Sequence, residues 1–72
     1  MKLTERDFTA NEERRLQRLA SQLAATGLDA RRIGSETYLD FRTVQRAMRG
    51  EPVKSDAQAR LEYWLYNRIL NG

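Results

Sequence analysis

In the stretch LDFRTVQRAMRG, residues 39–50, Arg42, Arg46 and Arg49 share a short amphipathic segment with no acidic residue after Asp40. Residues three and four apart lie on one helical face, so Arg42, Gln45, Arg46 and Arg49 would stand together. A guanidinium is a planar fork of donors that meets two acceptors at once, on a carboxylate, a phosphate or the O6/N7 edge of guanine. The chemistry on offer is therefore recognition of an anion or a base edge. Phe41 adds an aromatic ring at the start of the segment, where it serves either the core or a contact.

Bond-making chemistry finds no comparable set. The chain has no cysteine and no histidine, which removes disulfides, thiolate and imidazole metal sites, and His-activated nucleophiles. Its carboxylates lie beside bases on charged helical patterns, not in apolar settings that would raise a pKa. The chain is expected not to be an enzyme, to hold no metal or cofactor, and to take no small-molecule ligand. No apolar run approaches the roughly 20 residues of a bilayer span. The opening MKLTERDFTANEERR lacks the apolar stretch of a secretory signal, so no membrane partner and a cytoplasmic location are expected.

Positioning these arginines requires helices. The 72 residues are enough for one small domain, residues 1–72, with a modest core. Leu16, Leu19, Ala20, Leu23 and Ala24 recur at three- and four-residue steps, and Thr9 with Glu12 has capping-box spacing, giving a helix over about 10–26 stopped by Gly27. Asp29 caps a helix over 30–37 anchored by Leu28 and Ile33, with Gly34 in its middle where another helix crosses closely. After a tight turn at 38–40, Asp40 caps a helix over 41–49 that Gly50 and Pro52 close, with Leu39, Val44, Ala47 and Met48 inward. Ser55 and Gln58 form a second capping box that opens a helix over 56–70. That helix carries two stripes: Ala57, Leu61, Trp64, Leu65 and Ile69 for the core, and Ala59, Tyr63, Tyr66 and Leu70 for a thicker core or, on balance, a partner surface. The expected fold class is all-α: four helices containing a helix-turn-helix at 30–49.

The chain carries 13 Lys and Arg against 10 Asp and Glu, a net charge of +3. The basic tilt is greatest in the centre, with 5 bases and 3 acids in residues 29–50. Helix, tight turn, helix with a basic second helix is the geometry that places a recognition helix in the major groove.

On those residues the stretch IGSETYLDFRTVQRAMRGEPVKSDAQARL, 33–61, resembles the DNA-binding headpiece of lactose-repressor-type regulators and the related lambda-repressor-like domains. Leu39, Asp40, Phe41, Arg42, Thr43, Val44, Gln45 and Arg46 match the family's turn and recognition helix, and Ser55 matches the serine that opens its next helix. The resemblance implies that Phe41, Arg42 and Arg46 read bases, that Thr43 and Ser55 bind phosphate, and that Arg31 contacts the backbone. Gln45 joins the base-reading set by position on the face; Arg32, Arg49 and Lys54 join the phosphate-binding set as flanking bases. Gly34 stands where the family has Ala. Tyr38 stands where it has Gly, so a positive φ there would be strained unless this turn is built differently. The preceding long helix makes the lambda-repressor-like architecture the better match.

The expected function is a sequence-specific double-stranded DNA-binding transcriptional regulator, a repressor of bacterial, plasmid or phage origin. It would work as a homodimer or cooperative multimer on DNA, through Tyr63, Tyr66 and Leu70. Two alternatives use the same residues differently: a plasmid-segregation or nucleoid factor on arrayed sites, and a helical protein-interaction module such as an anti-repressor or adaptor. Arg14, Arg15 and Arg18 are read as a solvated face, and Trp64 as core.

Overall fold

The computed structural model describes residues 10–71, and within them the chain is all-helical. Helices α1 (Ala10–Ala25), α2 (Ala30–Thr37), α3 (Phe41–Met48) and α4 (Ser55–Asn71) follow in chain order. No helix among the described residues is long and apolar enough to cross a membrane.

The ends of the helices follow from local hydrogen bonding. At α1 the Thr26 amide and hydroxyl both donate to the Leu23 carbonyl, at 3.2 and 2.6 Å, and Gly27 then turns left-handed at φ 75°. This tightened last turn ends the helix at Ala25, one residue before the sequence expectation. At α3 the Arg49 amide is shared between the Gln45 and Arg46 carbonyls. Gly50, at φ 78°, donates to Ala47, and Glu51 donates to Arg46, both at 3.0 Å. That pair of bonds is the Schellman closure expected of a C-terminal glycine.

At α4 the capping box does not form. The Gln58 side chain reaches forward to Glu62 at 3.4 Å, not back to Ser55, while the Gln58 amide donates to the Lys54 carbonyl at 2.9 Å. The helix therefore begins at Ser55, and Asp56 takes the Ala57 amide at 2.9 Å. Thr9, the first residue of the other proposed box, lies outside the described residues.

All four helices contribute to one core. Leu19, Leu23, Ile33, Val44 and Leu61 are fully buried at its centre, joined by Ala30, Ala47 and Leu65. Leu39, Phe41, Met48 and Trp64 pack around it half-buried. Two residues assigned to apolar stripes stay outside. Ala24 is exposed, and Ile69 keeps 69% of its surface. Near the end of α4, Ile69 borders an open groove whose other edge is Gln22, Ala25 and Thr26.

The connection that fixes α3 uses three residues. Asp29 caps α2 by accepting the Arg32 amide at 2.8 Å, and Asp40 caps α3 by accepting the Arg42 amide at 3.0 Å. Between them Tyr38 adopts φ 61°, ψ 36°, the left-handed conformation, and the Leu39 amide folds back onto the Gly34 carbonyl at 3.0 Å. The turn is thus built with the positive φ the family resemblance implies. A residue with a Cβ bears a strain of order 1 kcal/mol there that Gly would not. At Gly34 the crossing helix expected of it does come close, with the Phe41 backbone at the start of α3 lying 3.5 Å from the position of a Cβ, and the turn that leads into α3 comes closer still. A Cβ at that position would lie 2.7 Å from the Leu39 carbonyl oxygen, so it is the turn's own backbone that excludes a side chain.

Across the bundle, Arg15 on α1 grips Glu62 on α4 with both arms of its fork, at 2.8 and 2.7 Å.

Two substitutions check this framework by thermal and denaturant unfolding. Val44→Ala should cost about 2 kcal/mol by emptying fully buried volume between α2 and α3. Gly34→Ala should also destabilise, because the obstructing atom is backbone and cannot swing aside; a stabilised Gly34→Ala protein would show the turn to be looser than described.

Candidate nucleic-acid interface

With Val44 and Ala47 turned into the core, the geometry of a two-turn helix leaves Arg42, Gln45, Arg46 and Arg49 on its outward side, and all four are exposed. The helix packs against α2 and α1, so this face is held by the core and not by the charges themselves.

The charges on it differ in availability. Arg49 is paired with Glu51, Nε to carboxylate at 3.1 Å. Among the described residues, neither Arg42 nor Arg46 forms a salt bridge or a side-chain hydrogen bond, although the Arg42 guanidinium stands 5.8 Å from the centre of the Phe41 ring. Their donor forks are therefore presented to solvent without an internal acceptor. A residue that must meet an outside acceptor loses nothing inside the protein by doing so.

Phe41 has two roles at once. Its ring is half-buried against the core, and the Arg31 guanidinium from α2 lies over it at 4.3 Å. A cation held over an aromatic face in this way is stabilised by the ring's quadrupole. The ring thus draws Arg31 towards the N-terminal end of α3, beside Arg42.

On the other flank, Thr43, Arg46 and Lys54 line one shallow groove between α3 and the start of α4, floored by Leu39, Val53 and Ala57. Asp56 stands in the same groove, its carboxylate turned to the Ala57 amide.

Two residues named from the sequence are not brought to this surface. Arg32 donates to Glu36, four residues on, at 3.0 Å. Glu36 also accepts the Trp64 indole N–H at 3.0 Å and lies 3.9 Å from Arg68, which in turn stacks 5.0 Å over the Trp64 ring. Arg32 is thus part of a cluster that joins α2 to α4. Ser55 faces a groove shared with Glu12, Arg15 and Gln58, on the α1 side. Arg15, read as solvated, is the bidentate partner of Glu62.

The sequence marks Tyr38 as a strained turn residue. It is the most exposed large hydrophobic side chain described, at 87%. The signal was present in the sequence: a bulky aromatic occupying a position that favours glycine.

No protein-family model, no curated protein and no solved structure matches this chain.

The ion pairs that tie the helices imply an acid limit to stability. The Arg15 hydrogen bonds hold the Glu62 carboxyl below its usual range, and those of Arg32 and Trp64 do the same for Glu36. A carboxylate whose pKa is lowered by folding contributes above its unfolded value, and the contribution disappears as pH falls through the folded one. The thermal midpoint should therefore be level from pH 8 to about 5 and decline below that. Glu62→Gln should lower the level part and make the acid decline shallower. An unchanged acid limb in that variant would show that the Arg15–Glu62 pair does not hold the helices together.

Proposed function

We propose that the chain is a sequence-specific double-stranded DNA-binding domain of a transcriptional regulator of bacterial, plasmid or phage origin. It acts as a repressor, by occupying an operator that overlaps a promoter. The observation that carries this reading is the pair Arg42 and Arg46, exposed and without an internal acceptor, on a short helix whose opposite side is locked into the core. α3 enters the major groove with its outward side, and the two arginine forks each meet the O6 and N7 acceptors of a guanine. Gln45 reaches a neighbouring base. Arg31, Thr43, Arg49 and Lys54 take phosphates on either flank and fix the register. Arg49 exchanges its bond to Glu51 for one to a phosphate.

A helix of two turns reads only a few base pairs, too few to specify one site in a genome. Two or more copies therefore act on adjacent half-sites. A role on arrayed sites in plasmid segregation or nucleoid organisation would use the same interface with a different site arrangement.

One observation favours a rival of another class. The outward side of α4 exposes Tyr63, Tyr66 and Leu70, as a protein-interaction module such as an anti-repressor or adaptor would. In that case the arginine face binds an acidic protein surface. Gel retardation with mixed genomic fragments at low salt separates the two: retarded DNA supports the DNA reading, and its absence supports the rival.

Binding should weaken with salt at a log–log slope of about −0.9 per phosphate contacted. Arg42→Ala and Arg46→Ala should each cost about 1–3 kcal/mol on the preferred site and relax the preference at one base pair. Thr43→Ala should weaken all sequences alike. Fluorescence anisotropy with operator and scrambled duplexes reads both effects, and circular dichroism should show the helices intact. Full discrimination retained by both arginine variants would remove α3 from the role of reading helix.

A further inference from the structure

Folding alone is served better by glycine at position 38. Tyr38 is the one non-glycine residue described with positive φ, and with 87% of its surface open it gains little inside the monomer in return. Its side chain forms one wall of a groove whose other wall is α4, through Tyr63, Trp64 and Asn67, with Arg60 at its edge. Alongside runs the outward stripe of α4, Ala59, Tyr63, Tyr66 and Leu70, at steps of four, three and four residues. Tyr63, Tyr66 and Leu70 are 68, 58 and 63% exposed. Steps of four and three are those of a helix that packs lengthwise against another helix.

Three features of this surface identify its occupant. The first is charge. α4 balances Asp56 and Glu62 against Arg60 and Arg68, so the chain's +3 resides outside it, and two copies repel least when they meet there. The stripe itself holds no charged residue. The second is shape. With two α4 helices antiparallel about a point between Tyr63 and Tyr66, small Ala59 faces large Leu70 and tyrosine faces tyrosine, so the surface complements itself. The third is area. The exposed parts of Tyr38, Tyr63, Tyr66 and Leu70 amount to roughly 550 Å² per copy, or about 1,100 Å² in a pair, the size of a weak, transient interface.

We infer that this surface binds a second copy of the chain, α4 antiparallel to α4, with a side chain of the incoming helix seated in the Tyr38 groove. The left-handed tyrosine is retained for that contact. The pairing is weak and reversible in solution, and it deepens the DNA reading by supplying the second module which that reading requires.

Sedimentation of the full chain in the absence of DNA tests the inference, over concentrations up to about 1 mM. The parent should show a reversible monomer–dimer equilibrium. Tyr38→Gly should weaken it at least about tenfold, as loss of an interface aromatic does, while its thermal midpoint holds or rises because strain is released. Tyr66→Ser should weaken it comparably. A parent that stays monomeric throughout, a Tyr38→Gly protein that pairs as the parent does, or one whose midpoint falls, would each overturn the inference. The last result would show that the tyrosine serves the monomer. Because no DNA is present, failure of duplex binding leaves this measurement unaffected, and failure of pairing leaves single-site DNA binding intact.

Discussion

The three-residue connection between α2 and α3 is the constraint on which the rest depends. It brings the Leu39 carbonyl against Gly34 and the first residue of α3 close behind it, so the two helices meet with almost no freedom in their crossing. Given that crossing, Ile33 and Val44 bury each other, α1 and α4 close over them, and the outward side of α3 has one orientation. Asp40 closes the turn by capping α3, and Asp29 caps the far end of α2: each helix start has a side-chain acceptor for an amide that would otherwise lack one. An eight-residue helix has too few internal hydrogen bonds to persist alone. α3 is therefore helical because the turn and the core hold it so.

The arginines divide by what lies within their reach. Arg15, Arg32 and Arg49 each have a carboxylate partner, supplied by α4, by the next turn of the same helix, and by the following loop. Arg42 and Arg46 have none, because no acidic residue occurs between Asp40 and Glu51 and Asp40 is engaged as a cap. Exposed ion pairs of this kind each contribute at most about 1 kcal/mol, enough for a small acid decline but not to set the fold. Their larger effect here is to occupy some guanidinium groups and leave others open, Arg42 and Arg46 among them.

Much of this was legible in the residues. The four helices, both aspartate caps and the left-handed glycines are local features, written in spacings of three and four and in residues with a single conformational advantage, and local features can be read without a fold. The acid-free face of α3 was legible for the same reason. What could not be read depends on distance along the chain. Arg15 and Glu62 are separated by 47 positions, and nothing in either neighbourhood marks them as partners. Arg32 and Glu36 stand four apart on one helix, a spacing open to sequence reading, but the Trp64 indole that joins their cluster comes from another helix. Ile69 fitted the core stripe by period, but it borders an open groove and stays exposed. The Ser55–Gln58 box does not form because the helix starts a residue earlier, the Gln58 backbone amide donating to the Lys54 carbonyl with Ser55 already inside the helix.

Phe41 belongs to two systems, the packed interior beneath it and the guanidinium above it. A position shared in this way answers to two sets of contacts at once. Any replacement that altered how the interior fits would also alter where the Arg31 guanidinium stands, and the reverse holds equally. Neighbouring Arg42, Gln45 and Arg46 carry no such double duty. Substitutions at those three sites should therefore change the surface with little effect on the interior, whereas a substitution at position 41 changes both.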